Sequence, residues 1–273
     1  MNDYEKRIHD ILINYSDHDL GSTGEYFVSE LPFCLRKMVW TRHFGMRIPP
    51  NAKMALGTIL HTHIEEILKK PNMAEFYNGM ALQFEVKTRT LFGKTGIVIT
   101  GHCDVLVSQK QQTEEGIALL PSCVEEWKFS RSAVRSGEDI PIYYAAQVNT
   151  YSSMLGAGKW RVNVVNPEDF NVISIDGTTD KQVAENMMNR AVAVYDIFRE
   201  GSSPIHLLSK NFEGVMSRTG KTSNMRALID EVVGSLPDGP EYGFECSTRY
   251  SKCTFYDLCG GGCDDKRQNK GQT

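Results

Sequence analysis

The chain has 273 residues and a formal net charge of −4, with 41% hydrophobic and 23% charged residues. These values are typical of a globular protein large enough to bury a core, and they exclude a uniformly basic nucleic-acid coat protein. The start, MNDYEKRIHD, is too polar for a secretory leader, and no run approaches the roughly 20 apolar residues of a membrane-spanning helix. We therefore expect a cytoplasmic protein with no membrane partner.

The first part of the chain has the spacing of helices. We predict helices over residues 1–20 and 29–45, the second with Ser29 as its N-cap. Apolar residues recur at helical spacing over 55–70, which predicts a third helix. Pro71 ends it, because a proline ring cannot continue a helix.

Strands are predicted next. Alternating apolar residues and β-branched side chains indicate strands at 81–92, 96–108 and 123–130. The segment KQQTEEG at 110–116 is expected to be a polar loop between the second and third of them.

The remainder returns to mixed patterns. We predict a helix at 141–155 that opens with Pro141, strands at 160–165 and 170–176, and a helix at 179–199. A loop-rich stretch at 201–245 follows, with a short helix near 224–234.

This order of elements indicates a mixed α/β domain with a sheet flanked by helices. We expect three regions that together form one compact unit. They are a helical region at 1–80 with the first of the clustered cysteines, a core at 81–200, and a loop-rich, cysteine-bearing region at 201–273.

Acidic residues and a lysine in two of the predicted strands suggest metal-assisted chemistry. Asp104 lies in one strand, and the triplet Glu126-Trp127-Lys128 lies in another. On a strand, Glu126 and Lys128 project from one face and Trp127 from the other. Two carboxylates from neighbouring strands can hold Mg²⁺ or Mn²⁺, and a nearby lysine can stabilise negative charge on a phosphate.

Two neighbouring helices carry further polar residues. Gln147 and Tyr151 are four residues apart and share a helical face. His61 lies on the helix that precedes the strands, one turn after Gly57. A lone histidine on a helix is more often structural than a ligand, and the order around it does not match a zinc-protease motif.

The clustered cysteines bracket the chain. Cys34 lies near the start, and Cys246, Cys253, Cys259 and Cys263 lie near the end. In a reducing cytoplasm such clusters are more often metal ligands than disulfides. Four thiolates suit either a 4Fe–4S cluster or tetrahedral zinc. Cys103 and Cys123 lie in strand-like runs and are interpreted as core residues.

Taken together, these motifs resemble one nuclease family. The order Gly57…His61, Gly101…Asp104, Glu126-Trp127-Lys128 and Gln147…Tyr151 resembles the RecB-type branch of the PD-(D/E)XK nucleases. With the cysteines, it resembles the iron–sulfur members of that branch. The stretch VSELPFCLRKMVW is most similar to the CRISPR-associated RecB-like exonucleases and their phage homologues.

The resemblance implies a restriction-endonuclease-like fold and a role for each motif. His61, Asp104, Glu126 and the Trp127 carbonyl would bind Mg²⁺ or Mn²⁺, and Lys128 would be the catalytic lysine. Gln147 and Tyr151 would position Lys128 or the DNA strand. The termini would form a helical accessory region around a structural 4Fe–4S cluster.

One part of the cysteine motif departs from the family. The family's last three cysteines read C-x2-C-x5-C, and here Cys253 and Cys259 keep the second interval while Tyr250 replaces the first cysteine. Either Cys246 or Cys263 supplies the missing ligand. Chain order favours Cys246, whereas the glycines before Cys263 would allow close approach of the backbone to a cluster.

The expected activity is that of a metal-dependent DNA exonuclease acting mainly on single strands, located in the host cytoplasm if a phage encodes it. Arg36, Lys37 and Arg131 are candidates for phosphate contacts. The segment ending in Gly-Lys-Thr at 220–222 is not a phosphate loop, because Val215 occupies the position that requires glycine, so no ATP site is expected.

Two alternatives remain at this point. The chain could be a nuclease-fold interaction module that needs a partner in CRISPR adaptation or recombination. It could also be a zinc-stabilised DNA-binding protein without catalysis.

Overall fold

The structure is a computed structural model, and it describes residues 7, 24–32, 38, 42, 52–94, 96–130 and 141–199. The strands in this part of the chain are β1 (Glu25–Phe27), β2 (Ala81–Phe92), β3 (Ile97–Thr113), β4 (Gly116–Phe129), β5 (Lys159–Val165) and β6 (Val172–Thr178). Its helices are α1 (Ala52–Leu68), α2 (Met73–Phe76), α3 (Ile142–Leu155) and α4 (Lys181–Arg199). The predicted mixed α/β class is confirmed.

The chain divides into two compact units. Among the described residues, the first unit contains 52–90 and 100–184. The second contains 24–32, the segment around 91–99, and 185–199. The predicted regions 1–80, 81–200 and 201–273 stay predictions.

The first unit is built on a mixed sheet. Strand β3 pairs antiparallel with β4, β4 pairs parallel with β5, and β5 pairs antiparallel with β6. Strand β2 pairs with β3. Because parallel neighbours cannot be joined by a tight turn, the chain passes from β4 to β5 through α3, which packs against both strands. Strand β4 is therefore interior to the sheet, and its residues 124–126 are buried.

The second unit contains the short strand β1 and most of α4. The Val98 amide donates to the Gly24 carbonyl at 2.9 Å, at the start of β3. A 3₁₀ turn at Val28–Glu30 follows β1, and its N-cap is Phe27. Ser29 lies inside this turn, so its predicted role as an N-cap is wrong. The Glu30 carboxylate instead accepts a hydrogen bond from the Phe27 amide at 3.0 Å.

The helix that crosses between the parallel strands begins and ends at sequence signals. Pro141 was predicted to be the first residue of this helix, and the structure places it at the N-cap of α3, one residue before the helix begins at Ile142. Gly156 follows the helix with φ 71°, the left-handed conformation that glycine adopts without strain. The Ala157 amide donates to the Ser152 carbonyl at 2.9 Å, which caps the last turn.

The predicted polar loop at 110–116 is wrong. Strands β3 and β4 continue through this segment, and Thr113 pairs with Gly116. Only Glu114 and Glu115 form the turn, and the Thr113 hydroxyl donates to the Gly116 carbonyl at 2.9 Å. The side chains at 109–113 are exposed, so the backbone ladder, and not apolar alternation, maintains the strand here.

The other predictions agree with the elements to within a few residues. The strand at 81–92 is observed with the same bounds, and the helix predicted at 55–70 runs over Ala52–Leu68. The predicted helices at 1–20 and 29–45 lie almost wholly outside the described residues, as do the loop-rich stretch at 201–245 and its helix. No helix in the described parts of the chain is long and apolar enough to span a bilayer.

A glycine in β6 offers a test of how closely this sheet is packed. Gly177 pairs with Trp160, and a Cβ at Gly177 would overlap the indole ring. We expect Gly177→Ala to lower the free energy of unfolding by about 1–3 kcal/mol, because the ring must shift within a packed surface. Urea unfolding measures the change. Gly158→Ala is the matched control, since its Cβ would meet no atom within 4 Å, and equal stability of the two variants would contradict the packing.

Candidate active site

Two carboxylates face each other where β3 and β4 stop pairing. The backbone ladder reaches Val105, opposite Glu125, and side chains replace it at the next position. The Trp127 amide donates to Asp104 Oδ2 at 2.7 Å, and the Asp104 amide donates to Glu126 Oε1 at 3.4 Å. Each carboxylate is therefore held by a backbone amide from the opposite strand.

Lys128 joins the carboxylates from the same face of β4. Its Nζ lies 2.8 Å from Glu126 Oε2, and the two side chains are 16% and 2% exposed. The predicted alternation is confirmed, because the Trp127 side chain packs on the other side against the apolar cluster of Leu68, Tyr77, Val105 and Val107.

His61 reaches the site from α1. Its Nδ1 lies 3.4 Å from Asp104 Oδ2, and its ring meets the ring of Phe129 edge to face at 5.3 Å. Burial and then the charge of Lys128 lower the pKa of His61 to about 4. The imidazole is therefore neutral near pH 7, which is the form that binds a metal ion.

Helix α3 supplies the two polar residues predicted for it. Gln147 Nε2 lies 3.4 Å from Glu126 Oε2, the oxygen that also faces Lys128. Tyr151 is 2% exposed, and burial, followed by the charge of Glu126, raises its pKa well above the usual value. Tyr151 therefore stays protonated.

A glycine on β3 makes room for Tyr151. A Cβ at Gly101 would lie 2.7 Å from the Tyr151 hydroxyl oxygen and from a carbon of its ring. Any side chain at this position would displace the tyrosine, because contacts this short do not occur between packed atoms. The close approach of Tyr151 to the backbone therefore explains why position 101 is a glycine.

The site has more buried negative charge than its lysine offsets. Burial raises the pKa of Asp104 to about 6, and burial together with the charge of Asp104 raises that of Glu126 to about 7. Burial alone would lower the pKa of Lys128, but the charges of Glu126 and Asp104 outweigh it and raise that pKa. Two carboxylates beside one ammonium leave a deficit of positive charge, which a bound cation would relieve.

The donor atoms of the site suit Mg²⁺ or Mn²⁺, although the side chains do not form a complete coordination sphere. Asp104 and Glu126 offer the oxygen ligands that these hard cations prefer, and His61 offers a neutral nitrogen. Among the described residues, no three histidine, cysteine or acidic side chains are arranged to hold a metal ion. Lys128 contacts Glu126 Oε2, and the Trp127 amide donates to Asp104 Oδ2.

Other charged residues near the site were not singled out from the sequence. Glu85 and Glu65 add to the negative potential at Asp104. Glu85 has φ 48°, an uncommon backbone conformation for this residue, and its carboxylate lies 3.6 Å from His102 Nδ1. No periodic pattern indicates Glu85, because its place near Asp104 depends on the pairing of β2 with β3.

Tyr144 is another residue that the sequence reasoning missed. Its ring lies 5.7 Å from Lys128 Nζ. Tyr144 is three residues before Gln147, so extending the face of Gln147 and Tyr151 by one turn would have identified it.

Several predicted site residues cannot be placed. The candidate DNA contacts and cluster ligands lie outside the described residues, and they are Arg36, Lys37, Arg131, Cys34, Cys246, Cys253, Cys259 and Cys263. The two strand cysteines are described, and Cys103 is buried while Cys123 is half-buried, both as free thiols.

No family model matches the sequence, and no curated protein matches it. Among solved structures, SSO0001 is similar with a TM-score of 0.49 and 19% identity, over 68% of this chain and 85% of that one. The alkaline exonuclease LHK-Exo of Laribacter hongkongensis gives 0.46 and 14%, over 76% and 99%. A phage-related exonuclease of Haemophilus somnus 129PT gives 0.41 and 14%, over 64% and 81%.

The raised carboxylate pKa values predict how stability depends on pH without metal. The folded-state pKa of Asp104, about 6, exceeds its ordinary value of 3.8, so ionising this group opposes folding. Its contribution is most favourable below about pH 4 and is lost as the pH rises through 6. In chelator, we expect Asp104→Asn to lie within about 0.5 kcal/mol of the wild type at pH 4 and to exceed its unfolding free energy at pH 8 by on the order of 1–3 kcal/mol.

Urea unfolding of the two proteins at both pH values measures this difference. Asp169→Asn is the control, because Asp169 is exposed in a turn. A difference between wild type and Asp104→Asn that stays constant from pH 4 to pH 8 would show that burial does not disfavour the ionised form of Asp104.

Proposed function

We propose that the chain is a divalent-metal-dependent nuclease that hydrolyses phosphodiester bonds of DNA. The observation that carries this proposal is the group formed by Asp104, Glu126 and Lys128 at the end of the β3–β4 ladder. It combines two buried carboxylates in need of a cation with a lysine ammonium on the same face. This combination suits metal-assisted phosphodiester hydrolysis, in which a metal and a further positive charge stabilise the negative charge on the phosphate.

His61, Asp104, Glu126 and the Trp127 carbonyl would hold Mg²⁺ or Mn²⁺. When bound, the metal would supply a water of lowered pKa and would offset charge on the phosphate. The amides of Trp127 and Asp104 hold the two carboxylates beside each other, at 2.7 and 3.4 Å.

The remaining residues act on the lysine and on Glu126. Lys128 carries a full positive charge that can face a phosphate oxygen as negative charge develops on it. Gln147 and Lys128 both contact Glu126 Oε2, so the amide can keep this oxygen oriented when the ammonium turns toward substrate. Tyr151 is buried against Gly101 and supports Gln147 on the same helical face.

The finer features of the proposal rest on the resemblance of the sequence motifs. We propose exonucleolytic action mainly on single-stranded DNA, and a role beside proteins of CRISPR adaptation or recombination. Arg36, Lys37 and Arg131 would contact the phosphates of the strand. A 4Fe–4S cluster would be held by Cys34, Cys253, Cys259 and either Cys246 or Cys263.

The nuclease proposal predicts a metal-dependent activity that is lost in a variant of His61 and kept in a variant of His63, which lies on the same helix. We expect end-labelled single-stranded DNA to be degraded with Mn²⁺ or Mg²⁺ and to stay intact with chelator. His61→Ala should lower the rate of cleavage by about 10²-fold or more, because it removes a ligand of the proposed metal, which stabilises charge on the phosphate. His63→Ala is the matched control, since His63 is 59% exposed and faces Glu66 at 3.9 Å.

Equal rates for the two histidine variants, or cleavage that persists in chelator, would refute the proposed site. Labels at the 5′ and 3′ ends report the polarity of digestion. Intact DNA in every wild-type reaction would favour the interaction module that requires a partner.

The cluster proposal predicts a distinct metal content. Protein purified without oxygen should contain iron and acid-labile sulfide, and Cys34→Ala should lose both, since a cluster needs its thiolate ligands. Cys123→Ala is the control, because this half-buried thiol lies in β4 beside the Val124 carbonyl. Comparing Cys246→Ala with Cys263→Ala identifies the remaining ligand. Zinc without iron or sulfide would contradict the cluster and support a zinc-stabilised protein.

A further inference from the structure

Helix α3 presents a third residue, Tyr144, to the site, in addition to Gln147 and Tyr151. Tyr144, Gln147 and Tyr151 are separated by three and four residues, so they lie along one helical face. Gln147 contacts Glu126, and the Tyr144 ring lies beside the Lys128 ammonium, with 5.7 Å between Nζ and the ring centroid. This distance is within the range of about 6 Å in which an aromatic face attracts a cation.

Lys128 needs a second contact because Glu126 cannot hold it in every state. A lysine side chain has four rotatable methylenes, and ordering it costs conformational entropy. In this structure Glu126 Oε2 holds the ammonium at 2.8 Å. The same carboxylate is a ligand in the proposed metal site, and an oxygen bound to a cation attracts a lysine less. The Tyr144 ring is not a ligand in the proposed metal site.

The ring of Tyr144 is itself fixed by its neighbour. Tyr143 and Tyr144 meet at 4.5 Å between centroids, with an angle of 67° between their planes. Both side chains are half-buried, as is Lys128. The ammonium therefore lies between a carboxylate and an oriented aromatic face, in a partly dry environment where such contacts are stronger than in water.

We propose that Tyr144 is a positioning residue that holds the ammonium of Lys128 toward the carboxylate centre through the face of its ring. The proposal rests on the proposed function for its effect on turnover. The contact between ring and ammonium does not depend on that function.

Two variants of Tyr144 isolate the ring from the hydroxyl. Tyr144→Phe and Tyr144→Leu both lack the hydroxyl, and only the first keeps an aromatic face. We expect Tyr144→Leu to lower kcat roughly 3- to 30-fold with little change in KM for DNA, and Tyr144→Phe to recover most of the loss. Equal kcat values for the two variants would overturn the effect on turnover, as would a loss seen only in KM.

Nuclear magnetic resonance gives a readout that does not require activity. Lysines carrying ¹³C-methyl groups on Nζ report a nearby ring, because protons above an aromatic face shift upfield. We expect an upfield resonance that Lys128→Arg removes, that Tyr144→Leu returns to the position of exposed lysines such as Lys159, and that Tyr144→Phe retains. Absence of that resonance in the wild-type protein would overturn the proposal.

The two experiments separate the inference from the proposed function. Wild-type protein without nuclease activity would overturn the function, and the resonance would still decide whether the ring holds the ammonium. Active wild type with a Lys128 resonance unaffected by Tyr144→Leu would leave the function standing and overturn the inference.

Discussion

The site depends on one exchange of hydrogen bonds, at the point where β3 and β4 cease to pair. There the Asp104 carboxylate accepts from the Trp127 amide, and the Glu126 carboxylate accepts from the Asp104 amide. Backbone amides that would otherwise lose their strand partners are satisfied by the acidic side chains. The same bonds fix two carboxylates in a buried position that their charge opposes. Stability and metal affinity are thus opposed at these residues, because the charge that disfavours folding is the charge that would bind a cation.

Two adjacent glutamates of β4 show how much the surroundings decide. Glu125 and Glu126 are both 2% exposed, and they project from opposite faces of the strand. Glu125 accepts from the Tyr77 hydroxyl at 2.9 Å and lies 3.3 Å from Arg161, which in turn pairs with Asp176. Arg161 serves both carboxylates, but Asp176 is 66% exposed to water, so Glu125 is the one buried carboxylate of this network and acts in the structure of the sheet. Glu126 shares Lys128 with Asp104, and the unmatched charge remains available for a ligand.

Helix α3 links the sheet to the site. Strands β4 and β5 are parallel, so the chain must cross over between them, and α3 forms this connection. Because α3 packs on both strands, its position along β4 is fixed, and its side chains meet Glu126. Gly101 permits Tyr151 to approach β3, which brings the Gln147 face of the helix close to the carboxylates. The topology of the sheet thus determines which oxygen of Glu126 the helix can reach.

The sequence by itself determined the elements whose periodicity is strong and the pairing of Glu126 with Lys128 on one face. Strand β2, helix α3 and the opposite placement of Trp127 follow from alternation, helical spacing and the proline at 141, which are local properties. The continuous β3–β4 hairpin was not predicted, because its polar side chains show no apolar alternation and the strands are held there by backbone pairing across the turn. Only the tertiary structure decided that His61 meets Asp104, that Glu125 pairs with Tyr77 while Glu126 lies beside a second buried carboxylate, and that Tyr144 faces Lys128. These contacts join residues from different elements, and no local pattern records the distance between elements that folding brings together.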